Sequence, residues 1–236
     1  DLESQLNTID ELVASGIHGL ILSPYNDPKI QQKIDELWKA GIPCITINTD
    51  LAASKRIAYV GSDYYKCGQT AAGLLALFTG GNAKIGIVTG SHNILCHEER
   101  IIGFRDLLQE KHPGMQILDV IENKDDDYIS YDVVSDLLQK HPDLSALYFT
   151  AAGVYGGCRA VCNATLSAPL KIISFDAVPS TIQMMQNGII SATICQQPEE
   201  QGARSLALLV DYLVTGKLPQ QPCLYMDLSI KIAENL

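Results

Sequence analysis

Charge is scarce in this chain: Asp, Glu, Lys and Arg make up 19% of its 236 residues. Aromatic residues are scarcer, at 6%, with a single Trp. Basic residues are outnumbered, 17 against 27, so the net charge is −10. A surface of that sign repels phosphate backbones, which excludes these residues as a nucleic-acid surface. No apolar run approaches the roughly 20 residues of a membrane-spanning helix. The sequence also lacks HExxH, CxxC and GxSxG, so zinc-hydrolase, thiol-redox and serine-hydrolase chemistry have no motif to stand on. Gly80-Gly81 precedes a strand, where a phosphate loop would have to follow one. Gly153-Val-Tyr-Gly156-Gly157 does follow a strand, but it lacks GxGxxG spacing and a partner acid about twenty residues on. No nucleotide cofactor is expected. Neither Cys158 with Cys162 nor His92, Cys96 and His97 completes a four-ligand zinc spacing, so no metal is expected. With no nucleophile–base pair in view, the chain reads as a binding protein and not an enzyme.

What is present is a regular alternation of short apolar strands with amphipathic helices. Ile30, Ile34, Leu37 and Trp38 recur at helical spacing, and HGLIL, IPCITI and LYF are compact apolar runs bounded by turn residues. The pattern predicts helices over residues 1–15, 29–40, 66–79, 98–111, 128–140, 154–166, 179–187 and 198–215. Strands fall between them, with two more near 223–226 and 228–232. Strands joined through helices form parallel βαβ units with helices on both sheet faces. About ten strands exceed one comfortable twisted sheet, so an α/β fold in two lobes is expected. The chain opens on a helical register, DLESQLNTIDEL, whereas a doubly wound sheet opens on a strand. A strand and part of a helix are therefore expected before Asp1.

Polar residues follow the apolar strands: Ser23 to Asp27 with Tyr25, Asn48-Thr49-Asp50, Ser62-Asp63, Ser91-His92, Thr150, Asp176 and Gln196. One such end is ordinary. Seven, directed to one rim of parallel sheets, make a binding cleft for a small polar molecule, because ligands bind beyond the carboxyl ends of such strands. Arg100 is expected in the first turn of its helix, where the helix dipole disfavours a cation, so it is either solvated or reaching a buried acceptor. Arg100 with Asp176 supplies a planar donor fork and an acceptor pair, which fits the vicinal hydroxyls of a sugar. Tyr25 and Tyr155 either stack on a pyranose face or pack. The run Asp125-Asp126-Asp127 reads as a solvated loop and helix N-terminus.

Gly41-Ile-Pro43, Val60-Gly-Ser-Asp63, Arg100-x-x-Gly103-Phe104, Gly156-Gly-Cys-Arg159-Ala, Phe175-Asp176 and Ala192-Thr-Ile-Cys-Gln-Gln-Pro198 occur in that order. In this order and spacing the chain resembles the type I periplasmic-binding-protein superfamily over nearly its whole length. That group includes sugar-binding proteins of transporters and effector-binding domains of LacI/GalR transcription regulators. The resemblance implies two Rossmann-like lobes that close over a ligand by a hinge motion. It places residues 1–62 and 197–226 in the first lobe, and 63–196 and 227–236 in the second. It implies Asn48, Arg100, Thr150, Asp176 and Gln196 as ligand contacts; Asp63, from the strand ends, and Tyr25 and Tyr155 are further candidates. Asn48-Thr49 stands where pentose binders carry Asp-Arg, and Thr150-Ala151 where Asn-Asp is common. These departures argue against a plain ribose-like ligand.

Two functions fit this resemblance. The first is the effector-binding domain of a LacI/GalR-type regulator: a homodimer responding to a sugar, with DNA bound only through an N-terminal domain absent here. The alternative is the solute-binding protein of an ABC-type sugar transporter. Seven cysteines, an odd number scattered through apolar contexts, read as buried free thiols of a reducing compartment. On that ground the regulator, in the cytoplasm, is the expected reading.

Overall fold

The computed structural model describes residues 2–92 and 94–236. It divides into two compact units, residues 2–62 with Gln197–Asp227, and Asp63–Gln196 with Leu228–Leu236.

The first unit carries α1 (Leu2–Ala14), β1 (Leu20–Leu22), α2 (Pro28–Lys39), β2 (Cys44–Ile47) and β3 (Ala58–Gly61). After the second unit the chain returns to it as α8 (Pro198–Thr215) and β9 (Cys223–Tyr225). Its sheet runs β1-β2-β3-β9, and every pairing is parallel. Strand side chains alternate between faces, so Leu20 and Leu22 join Ile9, Ile30 and Ile34 from α1 and α2, while Ile21 joins Leu209 of α8 on the other side. α2 starts where Asp27 caps it, with its carboxylate accepting from the Lys29 N–H, and Pro28 sits where its missing N–H costs nothing.

The second unit carries α3 (Tyr64–Thr79), β4 (Ala83–Thr89), α4 (Leu95–Lys111), β5 (Met115–Glu122), α5 (Asp127–Lys140) and β6 (Ala146–Phe149). It continues with α6 (Val154–Asn163), β7 (Lys171–Phe175), α7 (Pro179–Gln186), β8 (Ala192–Cys195) and β10 (Ser229–Lys231). Strand order is β10-β8-β7-β6-β4-β5, with β10 antiparallel and the rest parallel. Helices cover both faces. Ala146 and Tyr148 of β6 pack with residues of α3 and α4, and Leu147 and Phe149 with those of α5 and α6. Each unit is thus an α/β layer structure with helices on both faces of its sheet, as the alternation of strands and helices predicts.

Most expected elements lie within a few residues of their positions, and one displacement has a chemical consequence. α4 begins at Leu95, three residues before Glu98. Arg100 therefore sits in the second turn and not at the N-terminus, and the helix dipole has little bearing on its charge.

Candidate functional site

In the second unit β6, β7 and β8 are parallel neighbours, so Thr150, Asp176 and Gln196, each following one of them, emerge side by side on one rim. Arg100 reaches that rim from α4. It is only 5% exposed, and its guanidinium lies 3.8 Å from the ring centre of Phe175 and 4.9 Å from that of Tyr64. Stacking on aromatic faces holds a guanidinium flat and lowers the cost of its desolvation. Nη1 donates to the Thr150 carbonyl oxygen at 2.5 Å and Nη2 to Gln196 Oε1 at 2.8 Å. Gln196 Nε2 then donates to Asp176 Oδ2 at 2.9 Å. Arg100, Gln196 and Asp176 thus form a continuous polar chain.

Two features hold this rim in place. Asp176 adopts φ +61°, a left-handed conformation that is uncommon for a residue with a side chain. Its N–H donates to the Ile194 carbonyl and its own carbonyl accepts from Thr193 Oγ1, so β8 fixes the turn. The Thr150 hydroxyl donates to Thr89 Oγ1 at 2.8 Å, and both residues are buried. Thr150 consequently meets Arg100 with its backbone oxygen while its side chain serves the sheet.

The remaining candidates lie elsewhere. Asp63 caps α3: its carboxylate accepts from the Lys66 N–H and pairs with Lys66 Nζ at 3.2 Å. Tyr155, on α6, is half-buried against the cluster that includes Val154 and Cys158, in a groove with Tyr128 and Tyr131. Asn48 and Tyr25 belong to the first unit. Asn48 has φ +63°, and its carbonyl accepts from the Tyr59 hydroxyl at 3.0 Å. Tyr25 is half-exposed, and its N–H donates to Gln5 Oε1 at 2.8 Å.

Sequence reasoning missed the support beneath the rim. Phe175 was visible as part of a motif, but its stacking on Arg100 was not. The acidic run is a built turn and not a merely solvated loop: Asp125 accepts from the Ala152 N–H, Asp126 caps α5 and Asp127 accepts from the Gly156 N–H. His97 is also buried here, with Nδ1 accepting from the Ser91 N–H. Burial pushes this imidazole below its usual value, against the opposing pull of Asp125. A fixed donor fork, a carboxamide and a carboxylate on one rim present alternating donors and acceptors to a neutral polyhydroxylated molecule.

The chain is 26% identical over 202 residues to the ribose import binding protein RbsB of Bacillus subtilis (strain 168), covering 84% of this chain and 64% of that protein. It thus spans a little under two thirds of that relative's length. It is 25% identical over 231 residues to the D-allose-binding periplasmic protein of Escherichia coli (strain K12), covering 92% and 73%. The structure of GanP, a glucose-galactose binding protein from Geobacillus stearothermophilus, superimposes with a TM-score of 0.91 at 28% identity, covering 100% of this chain and 84% of that one.

These findings correct the expected regulator. The relatives named above are an import binding protein and a periplasmic protein, which point to sugar-binding proteins of importers. The DNA-binding partner and the homodimer rested on that reading and lose their support with it. The cytoplasmic placement falls too, and its physical premise was weak. Cys44, Cys67 and Cys158 are free but buried, and burial raises the pKa of each thiol, which makes it inert. Unpaired cysteines of that kind do not report the redox state of a compartment. Residues 1–218 match the periplasmic binding protein domain, a family of binding proteins and not of enzymes, and the chain belongs to it.

Proposed function

We propose that this chain is the ligand-binding part of an extracytoplasmic solute-binding protein that delivers a sugar to an ABC-type importer. The observation that carries this reading is the chain from Arg100 through Gln196 to Asp176. A planar fork already oriented by Phe175 and Tyr64 loses little entropy on binding, and an adjacent carboxylate can accept the hydroxyl hydrogens of a diol. The named binding activities of the relatives, toward ribose, allose, glucose and galactose, support the same class of ligand. Arg100, Asp176 and Gln196 are the proposed ligand contacts, with Thr150 contributing its carbonyl to the orientation of Arg100. Asn48 and Tyr25 belong to the first unit, and the proposal rests on the second unit alone. Asp63, committed to its helix cap, and Tyr155, committed to another groove, are not part of this proposal.

The test is thermal stabilisation and calorimetry with D-ribose, D-allose, L-arabinose, D-xylose, D-glucose and D-galactose. A ligand at about 100 times its Kd stabilises by about 2.7 kcal/mol. At least one of these sugars is expected to raise Tm, and Asp176→Asn and Arg100→Lys are expected to abolish most of that gain. Asp176→Asn keeps shape and hydrogen bonding to Gln196, so a folding defect does not confuse the result. If none of the sugars stabilises the protein, or if Asp176→Asn binds as well as the wild type, the proposal is wrong.

A further inference from the structure

We propose that the groove between α5 and α6 is a second carbohydrate site, open to a short oligosaccharide and independent of the Arg100 rim. Tyr155, which the sequence left either to stack on a pyranose face or to pack, lies here and not with Arg100. A cavity of about 410 Å³ is lined by Asp127, Tyr128, Tyr131, Asp132, Tyr155 and Arg159. A second cavity of about 430 Å³ shares Tyr131 and continues past Ser135 and Gln139 toward Asn163. Tyr128 and Gln139 are eleven helical steps apart, about 16 Å at the rise of 1.5 Å per residue, which is long for a monosaccharide.

The chemistry of the lining is that of saccharide recognition. Tyr128 is 86% exposed, so its ring contributes nothing to the core, and it stands with the half-buried Tyr131 and Tyr155 around one depression. Tyrosine rings offer flat apolar faces to the C–H faces of pyranoses and keep a polar tip in water. Asp127 and Asp132 provide acceptors, and Arg159 provides a donor fork. Arg159 is exposed and has no ion-pair partner among the described residues, so its fork is not already committed. Asn163 Nδ2 donates to the Tyr131 hydroxyl at 3.1 Å, which fixes the central ring. No Lys or Glu lines either cavity. Two carboxylates against one guanidinium leave a net negative groove, which selects a neutral ligand over a sugar acid or phosphate.

Calorimetry and saturation-transfer NMR with maltotriose, cellotriose and xylotriose test this directly. At least one trisaccharide is expected to bind with unit stoichiometry to the Asp176→Asn variant, whose rim is disabled. Tyr128→Ala, an exposed substitution, is expected to weaken that binding about tenfold, the equivalent of one lost stacking contact. Arg159→Ala should weaken it as well. Neither substitution should alter monosaccharide binding at the rim. Failure of all three trisaccharides to bind, or binding that Tyr128→Ala leaves unchanged, overturns the proposal, and neither result bears on the rim.

Discussion

A Cβ on Gly103 would stand 2.0 Å from the carbonyl oxygen of Tyr65. The relation is reciprocal, because a Cβ on Gly68 would stand 2.0 Å from the carbonyl oxygen of Arg100. α3 and α4 therefore pack backbone against backbone, each through a glycine. This close approach carries Arg100 beneath the rim and sets its guanidinium between Tyr64 of α3 and Phe175 of β7.

Gly103→Ala should separate these helices, since both obstructing atoms are backbone and cannot rotate away. The expected cost is about 1–3 kcal/mol in the denaturant midpoint, typical of overpacking. Sugar affinity should fall with it, because Arg100 moves with its helix. Gly73→Ala is the control on α3: its nearest neighbour would be Leu107 Cδ2 at 4.0 Å. That change should be neutral or stabilise by about 0.5–1 kcal/mol through helix propensity. Equal behaviour of the two variants would show that helix separation does not control the site.

The pairing of Gly103 with Tyr65 also marks how far the sequence could be read. The alternation of HGLIL, IPCITI and LYF with amphipathic helices states the α/β class plainly, since side-chain period is a local property. Polar residues after each strand, such as Asp176 after ISF, follow from the same rule. What was not legible depends on atoms brought together across the unit. Nothing local says that Thr150 would offer its carbonyl to Arg100 and its hydroxyl to Thr89. The left-handed backbone of Asp176 is equally silent, because aspartate carries no glycine-like signal. Cellular location was misread for a related reason: counting cysteines ignores the burial that determines their reactivity.

The protonation of His97 should make stability depend on pH near neutrality. Burial depresses its folded pKa below the ordinary value of about 6.5. Between those two values the unfolded chain binds more protons than the folded one, so stability rises with pH. The contribution is fully present above about pH 6.5 and is lost as pH falls through the folded value. Tm is expected to decrease from pH 7 toward pH 5, and His97→Gln should flatten that slope. The depressed carboxylates Asp119 and Asp143, held by Lys140 and Lys84, act in a separate window below the usual carboxylate range of about 4. An unchanged slope in His97→Gln would assign the effect to other groups.

Thiol labelling of the native protein separates the cysteines by burial. Cys162 is exposed on α6, Cys96, Cys195 and Cys223 are partly buried, and Cys44, Cys67 and Cys158 are buried. Burial pushes Cys44 and Cys158 up to about 12 and Cys67 up to about 11. The thiolate is the nucleophile, so each unit of raised pKa cuts the reactive fraction about tenfold at fixed pH. An aromatic disulfide reagent at pH 8 should therefore modify Cys162 first and the partly buried three more slowly. The buried three should react only after denaturant is added. Peptide mapping of the fast phase checks the assignment. Modification of Cys67 or Cys158 at the rate of Cys162 would mean that α3 or α6 opens in the native state, and the rigid seating of Arg100 against α3 would then have to be abandoned.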